Sequence, residues 1–146
     1  MNPINPIRIT RLDKSVPIPK YETSGAVGFD LASNENIEIK PEEIKLISTG
    51  LIIAVPKGYM LMIASRSSTP RKKGLMKPHG IGVIDQDYCG PNDEIKIQVY
   101  NFTKVTVKIE KGDRLAQGIF VRVDRFDFKE VQKIKKNNRG GFGSTG

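Results

Sequence analysis

An all-β domain of jelly-roll, sandwich or barrel type is what this 146-residue sequence predicts. Three observations point there. Apolar and polar residues alternate at period two in several short segments rich in β-branched side chains, the spacing of half-buried strands. Clusters of Gly, Pro, Asn and Asp separate those segments at short intervals. No segment carries three convincing helical turns.

The elements follow in chain order. Ile7-Arg8-Ile9-Thr10 alternates, and Ile37-Glu38-Ile39-Lys40 alternates again before the turn Pro41-Glu42-Glu43. Leu51-Ile52-Ile53-Ala54-Val55 and Tyr59-Met60-Leu61-Met62-Ile63-Ala64 are continuous apolar runs suited to more fully buried strands, with Pro56-Lys57-Gly58 turning the chain between them. The stretch from Ser67 to Leu75 has room for one short helical turn. After Gly90-Pro91-Asn92-Asp93, Glu94 to Tyr100 alternates cleanly, as does Val105 to Glu110 before Lys111-Gly112-Asp113; the apolar run from Leu115 to Val123 closes the set. About nine short strands spaced by turns make a sandwich, jelly roll or barrel. Past Phe128 the chain becomes polar and basic, then Gly-rich, and four glycines in its last eight residues cannot hold a strand or helix unaided. We therefore read 1–128 as the core and 129–146 as a C-terminal arm.

Composition narrows the function. With 38% hydrophobic and 27% charged residues, the chain is an ordinary globular domain rather than a disordered one. A single cysteine, Cys89, excludes an internal disulfide framework and a Cys-only zinc cluster, and a single histidine, His79, argues against a His-rich metal site. The longest apolar run, Tyr59 to Ala64, is about a third of a membrane span. The start, Met1-Asn2-Pro3-Ile4-Asn5-Pro6, shows no signal-peptide pattern, so a cytoplasmic setting without membrane contact is expected. The net charge of +8 suggests a polyanionic partner, nucleic acid or a small phosphate ligand, unless it serves solubility alone.

Five constellations carry possible chemistry. Gly28-Phe29-Asp30-Leu31 places a carboxylate between apolar residues at a strand turn, where it can be functional or can bond local backbone. Ser65-Arg66-Ser67-Ser68-Thr69-Pro70 follows a buried strand; its hydroxyls, backbone N–H groups and guanidinium suit phosphate oxygens, or Ser65 or Ser67 simply caps a helical turn. Gly80-Ile81-Gly82-Val83-Ile84-Asp85-Gln86-Asp87-Tyr88-Cys89-Gly90 ends an apolar run on Asp85, giving that carboxylate a partly dry setting and the means to act as general base toward water. Tyr88 offers a flat face for a sugar or base, while the same acids could merely cap the hairpin. In Gly112-Asp113-Arg114-Leu115-Ala116-Gln117, Arg114 could pair with a distant carboxylate, and Gln117, on the side of Leu115 in a regular strand, needs a polar partner. In the arm, Arg139, Phe142, Gly143, Ser144 and Thr145 combine a guanidinium, an aromatic face, hydroxyls and glycines that admit close backbone approach, a set suited to a nucleotide and also found in plain tails.

Taken in order, these segments resemble the homotrimeric dUTP pyrophosphatases (dUTPases) over about residues 24 to 146, most specifically in Gly82-Val83-Ile84-Asp85-Gln86-Asp87-Tyr88-Cys89-Gly90, Gly112-Asp113-Arg114-Leu115-Ala116-Gln117 and Gly140-Gly141-Phe142-Gly143-Ser144-Thr145-Gly146. The resemblance implies a β jelly roll and the hydrolysis of dUTP to dUMP and pyrophosphate, which removes dUTP and supplies dUMP for dTMP synthesis. It implies that Asp85 activates the water attacking the α-phosphate and that Tyr88 lies under the deoxyribose. The hairpin backbone, with Gly82, Val83 and Ile84, would read uracil. Arg66, Ser67, Ser68 and Gln117 would hold the α- and β-phosphates. Asp30 would act through water on the Mg²⁺ carried by the triphosphate. Phe142 would cover the base, with Arg139, Gly143, Ser144 and Thr145 closing on the γ-phosphate, in a homotrimer whose arm serves a neighbouring subunit's site.

Three positions depart from the family pattern. Asn137 stands where many members have arginine, His79 where some have a uracil-side asparagine, and Thr69-Pro70 replaces the commoner Leu-Ala. The alternative on the same fold is a dCTP deaminase or bifunctional deaminase–dUTPase, whose glutamate is matched here by Gln98, an amide that cannot shuttle protons. The alternative from another class is a basic β-sandwich binding nucleic acid. An aromatic content of 7%, no Trp and no basic–aromatic strand face argue against stable nucleic-acid binding.

Overall fold

A computed structural model describes residues 6–144. The period-two segments become strands, and every pair among them is antiparallel. In chain order they are β1 (Ile9–Arg11), β2 (Phe29–Ala32), β3 (Ile37–Ile39), β4 (Ile44–Ser48), β5 (Leu51–Ile53), β6 (Tyr59–Ser65), β7 (Leu75–Met76), β8 (Gly82–Ile84), β9 (Lys96–Asn101), β10 (Val107–Ile109) and β11 (Arg114–Arg122). They form a four-stranded sheet β2-β11-β6-β8, a three-stranded sheet β4-β9-β7, and the pairs β1-β5 and β10-β3. This is a jelly-roll-like all-β fold. Leu31, Ile39, Ile47, Leu61, Ile97 and Leu115, each fully buried, bring β2, β3, β4, β6, β9 and β11 onto one apolar core. Each such side chain contributes about 1.5–3 kcal/mol by leaving water.

Eleven strands form among the described residues, against the nine or so expected. The additions include β4 and the two-residue β7. In β4, Ile44-Lys45-Leu46-Ile47 is apolar on both faces, which hides the alternation. Ile47 points inward, while Ile44 and Leu46 stand 54% and 55% exposed. The expected helical turn forms at Thr69–Lys73 and ends on Gly74, whose φ of +68° is left-handed. A Cβ at Gly74 would stand 2.3 Å from Thr103 Cγ2, so both backbone and space demand glycine. The strand expected from Val105 shortens to Val107–Ile109, because the buried Asn101 amide donates to the carbonyls of Ile39 (2.9 Å) and Val105 (2.8 Å) and holds the preceding loop as a turn.

The Val123 N–H donates to the Gly58 carbonyl at 2.9 Å, and beyond it every residue from 124 to 144 is exposed. No helix among the described residues is long and apolar enough to cross a membrane.

Candidate active site

The phosphate-suited loop is positioned by the central strand. β6 ends at Ser65 opposite Ala116 of β11, and Arg66 follows it. Arg66 Nε donates to Asp30 Oδ1 at 2.8 Å, and Arg114 Nη1 donates to Asp30 Oδ2 at 3.1 Å. Arg114 also lies 3.9 Å from Glu22 Oε1. The distant carboxylate sought by Arg114 is therefore Asp30, reinforced by Glu22. Asp30 holds two guanidiniums side by side where the Ser67-Ser68 loop leaves β6. A cleft of about 340 Å³ beside this cluster is lined by Asp30, Arg114 and Glu22 but not by Arg66, Ser67 or Gln117, so it opens behind the ion cluster.

A bulge decides which way β11 points its side chains. Arg114 pairs with Ala32 and Ala116 with Leu31, so β11 spends one residue more than β2 between them. Leu115 and Ala116 are consequently both buried. Gln117 then faces away from Leu115, correcting the expectation from regular alternation. Its Nε2 donates to the Ser65 carbonyl at 3.0 Å, the polar partner that a half-buried amide needs. A Cβ on Gly28 would sit 2.4 Å from Gln117 Oε1, so glycine there makes room for the amide.

The helical turn does not consume the loop's hydroxyls as Ser65 or Ser67 capping would. Ser68 occupies the cap position and makes no side-chain capping bond. Thr69 instead anchors the loop: it is buried, and its hydroxyl donates to the Leu115 carbonyl at 2.9 Å. No sequence signal marks this role beyond a polar residue ahead of Pro70. Thr69→Val is expected to cost about 1–3 kcal/mol by leaving that carbonyl unpaired. Urea denaturation checks it, and an unchanged midpoint would show that the bond contributes nothing. A second anchor joins Lys73 Nζ to Asp113 Oδ2 at 3.1 Å. Partial burial opposes ionisation of Asp113, but the Glu110 N–H and the Lys73 ammonium outweigh it and hold the carboxyl below its ordinary value.

The carboxylate hairpin lies elsewhere on the same sheet. β8 is an edge strand paired only with β6, so its other backbone edge is unpaired within the sheet. Gly82 and Ile84 turn inward, and Val83 and Asp85 turn outward. Asp85 is thus exposed in the single chain, not partly dry as its place after an apolar run suggested. It lines an open hollow of about 660 Å³ with Tyr59, Met60, Val83 and Arg125. The strand stops at Ile84, so Asp85 and Asp87 lie in a turn, closed by the Tyr88 N–H on the Asp85 carbonyl at 3.3 Å. Tyr88 is 39% exposed and its hydroxyl donates to the Glu94 carbonyl at 3.1 Å. At the hairpin's start, Lys77 is buried with its Nζ 3.4 Å from the Gln98 carbonyl, and burial pushes its pKa down to about 8. His79 is exposed, and desolvation, with Lys77 nearby, lowers its pKa below the ordinary value, favouring a neutral ring at pH 7.

One chain brings Asp30, Arg66 and Gln117 together, with Ser67 and Ser68 next in the chain, but it does not bring Asp85 to them. Ile84 pairs with Leu61, which sets Asp85 beside Met60. Arg66 lies six residues further along the same strand direction, about 20 Å away at ~3.3 Å per residue. In the arm, Phe142 and Ser144 are exposed, and a turn joins the Ser144 N–H to the Gly141 carbonyl at 3.1 Å. Arg139 donates to the Gly140 carbonyl at 3.4 Å, and Thr145 lies outside the described residues.

The donor set limits the metal. No group of three or more His, Cys, Asp or Glu side chains that could hold an ion occurs among the described residues. Both Asp30 oxygens already accept from arginines. These residues fit a Mg²⁺ that arrives on a polyphosphate and is met through water, not a cage built by protein ligands.

By fold and site, this is an all-β jelly-roll protein whose central sheet carries an arginine- and hydroxyl-lined loop at one end and a carboxylate hairpin at the other. The dUTPase family model matches residues 14–146, and the chain belongs to the dUTPase family. It is 44% identical over 134 residues to the deoxyuridine 5'-triphosphate nucleotidohydrolase of Lactococcus lactis, covering 90% of this chain and 89% of that one. It is 40% identical over 142 residues to the enzyme of the same name from Wolinella succinogenes, covering 96% and 93%. The crystal structure of dUTPase from Streptococcus mutans superposes with a TM-score of 0.76 at 38% identity, over 82% of this chain and 98% of that one. A Staphylococcus bacteriophage 80alpha dUTPase with dUpNHpp, 24% identical, shares the fold at a TM-score of 0.86 over 98% and 99% of the two chains.

Proposed function

We propose that this protein is a dUTP diphosphatase, converting dUTP and water to dUMP and pyrophosphate. The observation that carries the reading is the convergence of Asp30, Arg66 and Gln117 beside Ser67 and Ser68 at one end of the central sheet. It occurs in a chain 40% and 44% identical to deoxyuridine triphosphate nucleotidohydrolases. The chemistry is phosphoryl transfer to water, in which positioning and charge neutralisation dominate. Asp85 takes a proton from the water that attacks the α-phosphorus. The bond from that phosphorus to the bridging oxygen breaks, and pyrophosphate leaves with its electrons. Arg66, Ser67, Ser68 and Gln117 hold the phosphates in line. The free backbone edge of Gly82, Val83 and Ile84 reads the base, with His79 beside it and Tyr88 under the sugar. Mg²⁺ bound to the triphosphate, with Asp30 nearby through water, would supply charge neutralisation. A phage phi11 dUTPase of this fold, 24% identical, coordinates a structural Mg(II) ion.

The site is assembled between subunits of a homotrimer. The ~20 Å between Asp85 and Arg66 in one chain supports this, since a triphosphate cannot span it and reach both. An exposed apolar face supports it as well: Ile44, Leu46 and Met76, with Tyr100 paired to both Ile44 and Met76, lie across β4, β9 and β7. In this arrangement the arm, 129–146, closes over a neighbour's site, bringing Phe142 onto the base and Arg139, Gly143, Ser144 and Thr145 toward the γ-phosphate.

Pyrophosphate release from dUTP, dCTP, UTP and dTTP, measured side by side with ammonia release from dCTP, tests the reaction. dUTP alone is expected to be turned over efficiently. Ammonia from dCTP would establish a deaminase, and no release from any of the four would overturn the reading.

A further inference from the structure

Resting on the reading of Tyr88 as the residue beneath the sugar, we propose that Glu94 is a positioning residue for sugar selection. It holds the Tyr88 ring through its main chain and is itself fixed by the β4–β5 turn. The Tyr88 hydroxyl reaches across the hairpin to the Glu94 carbonyl at 3.1 Å. The intervening turn is closed twice, by the Gly90 N–H on Asp93 Oδ2 at 2.7 Å and by the Asp93 N–H on the Gly90 carbonyl at 3.1 Å. The ring is therefore tied at both ends, by its backbone in the turn and by its hydroxyl at Glu94.

The Glu94 side chain then does something unusual for a carboxylate on a surface hairpin. It turns away from solvent, and its Oε1 accepts from the Ser48 hydroxyl and from the Gly50 N–H, the latter at 2.9 Å. Its neighbour is clamped by the same turn: the buried Thr49 hydroxyl donates to the Ile95 carbonyl, and the Ile95 N–H donates to the Leu51 carbonyl at 2.8 Å. Gly50 carries its N–H there with φ +69°, and a Cβ on it would meet Val16 Cγ2 at 2.5 Å, so this donor sits in a conformation that only glycine fits. The Glu94 carbonyl thus has a fixed position, set by the turn after β4, which lies outside the sheet that carries β8. A ring that excludes a 2′-hydroxyl by volume does so only if it cannot swing aside. An exposed tyrosine held by one hydroxyl bond depends on that bond's acceptor staying still.

The test is steady-state hydrolysis of dUTP and UTP by Tyr88→Ala, Tyr88→Phe, Glu94→Ala and Glu94→Gln. Loss of one neutral hydrogen bond corresponds to about a three- to tenfold change. Glu94→Ala and Tyr88→Phe are each expected to lower the ratio of kcat/KM for dUTP over UTP by that amount, and Glu94→Ala, which touches no substrate, should do so through KM with kcat for dUTP nearly kept. Glu94→Gln retains an acceptor for Ser48 and Gly50 and should restore the ratio. The double variant Glu94→Ala with Tyr88→Phe should be no worse than the more affected single. If Tyr88→Ala leaves the ratio unchanged, Tyr88 is not the sugar filter and the reading beneath the inference falls with it. If Tyr88→Ala narrows the ratio while Tyr88→Phe does not, the Glu94 inference alone is overturned. It is overturned likewise if a folded Glu94→Ala lowers both activities alike and leaves their ratio unchanged. Tyr88→Phe removes only an oxygen from an exposed ring, so it decides the matter even where Glu94→Ala fails to fold.

Discussion

Asp85→Asn is expected to lower dUTP turnover by about 10²–10⁴-fold, the contribution of a positioned general base, while binding of the non-hydrolysable dUpNHpp is largely retained. Asp85 is exposed at the outer end of the edge strand β8, so an amide of the same size disturbs no packing. Surface substitutions of that kind change stability by about 0.5 kcal/mol or less. What the amide loses is the ability to accept a proton from water. Single-turnover release of pyrophosphate measures the step, and equilibrium titration with dUpNHpp measures binding. Near-normal hydrolysis would remove Asp85 from the chemistry. Loss of binding in parallel with turnover would make it a ligand-holding residue instead.

Deleting residues 138–146 is expected to leave the protein folded and nearly inactive, and mixing it with Asp85→Asn subunits should bring activity back. The fold is spared because residues 124–144 are exposed throughout and the last backbone tie to the core is Val123 to Gly58. The nineteen residue-to-residue steps from Val123 to Phe142 can span at most about 63–68 Å, enough to cross to another protomer. Closure over the ligand would place Phe142 on the base, exclude water and strengthen each charged contact inside. In the proposed trimer, a truncated subunit would supply Asp85 and an Asp85→Asn subunit the arm. If the two come from different chains in each site, some mixed trimers hold an intact site and pyrophosphate release returns. If arm and acid belong to one chain, no mixture rescues, and the shared-site model fails.

Much of the candidate site's geometry was legible because it is local. The Arg66-Ser67-Ser68 loop needed only a buried strand ahead of it and a turn behind, and Ile63 to Thr69 spells both. The search of Arg114 for a carboxylate and of Gln117 for a polar partner followed from placing charged and amide groups in an apolar strand. The partners, Asp30 and the Ser65 carbonyl, came only from the register of β2 and β6 against β11. The bulge at Leu115 had no visible signal, since an extra residue in a strand looks like one more position until its partner strand is known. Thr69 and Glu94 carry no signal for the same reason: a hydroxyl or carboxylate bonded to a distant main chain resembles an ordinary turn residue.

The sequence by itself determined the all-β class, the placing of most strands, the single helical turn, and the order of motifs that marks a dUTPase. These depend on side-chain periodicity, turn residues and short-range spacing, all of which are properties of neighbouring positions. Only the tertiary structure decided that Asp30 sits between Arg66 and Arg114, that β8 is an edge, and that Asp85 is exposed and lies at the opposite end of β6 from the Arg66 loop. Those facts rest on which strand pairs with which and in what register. Antiparallel pairing sets residues far apart in the chain side by side, and here it sets the Asp85 hairpin and the Arg66 loop some six strand positions apart.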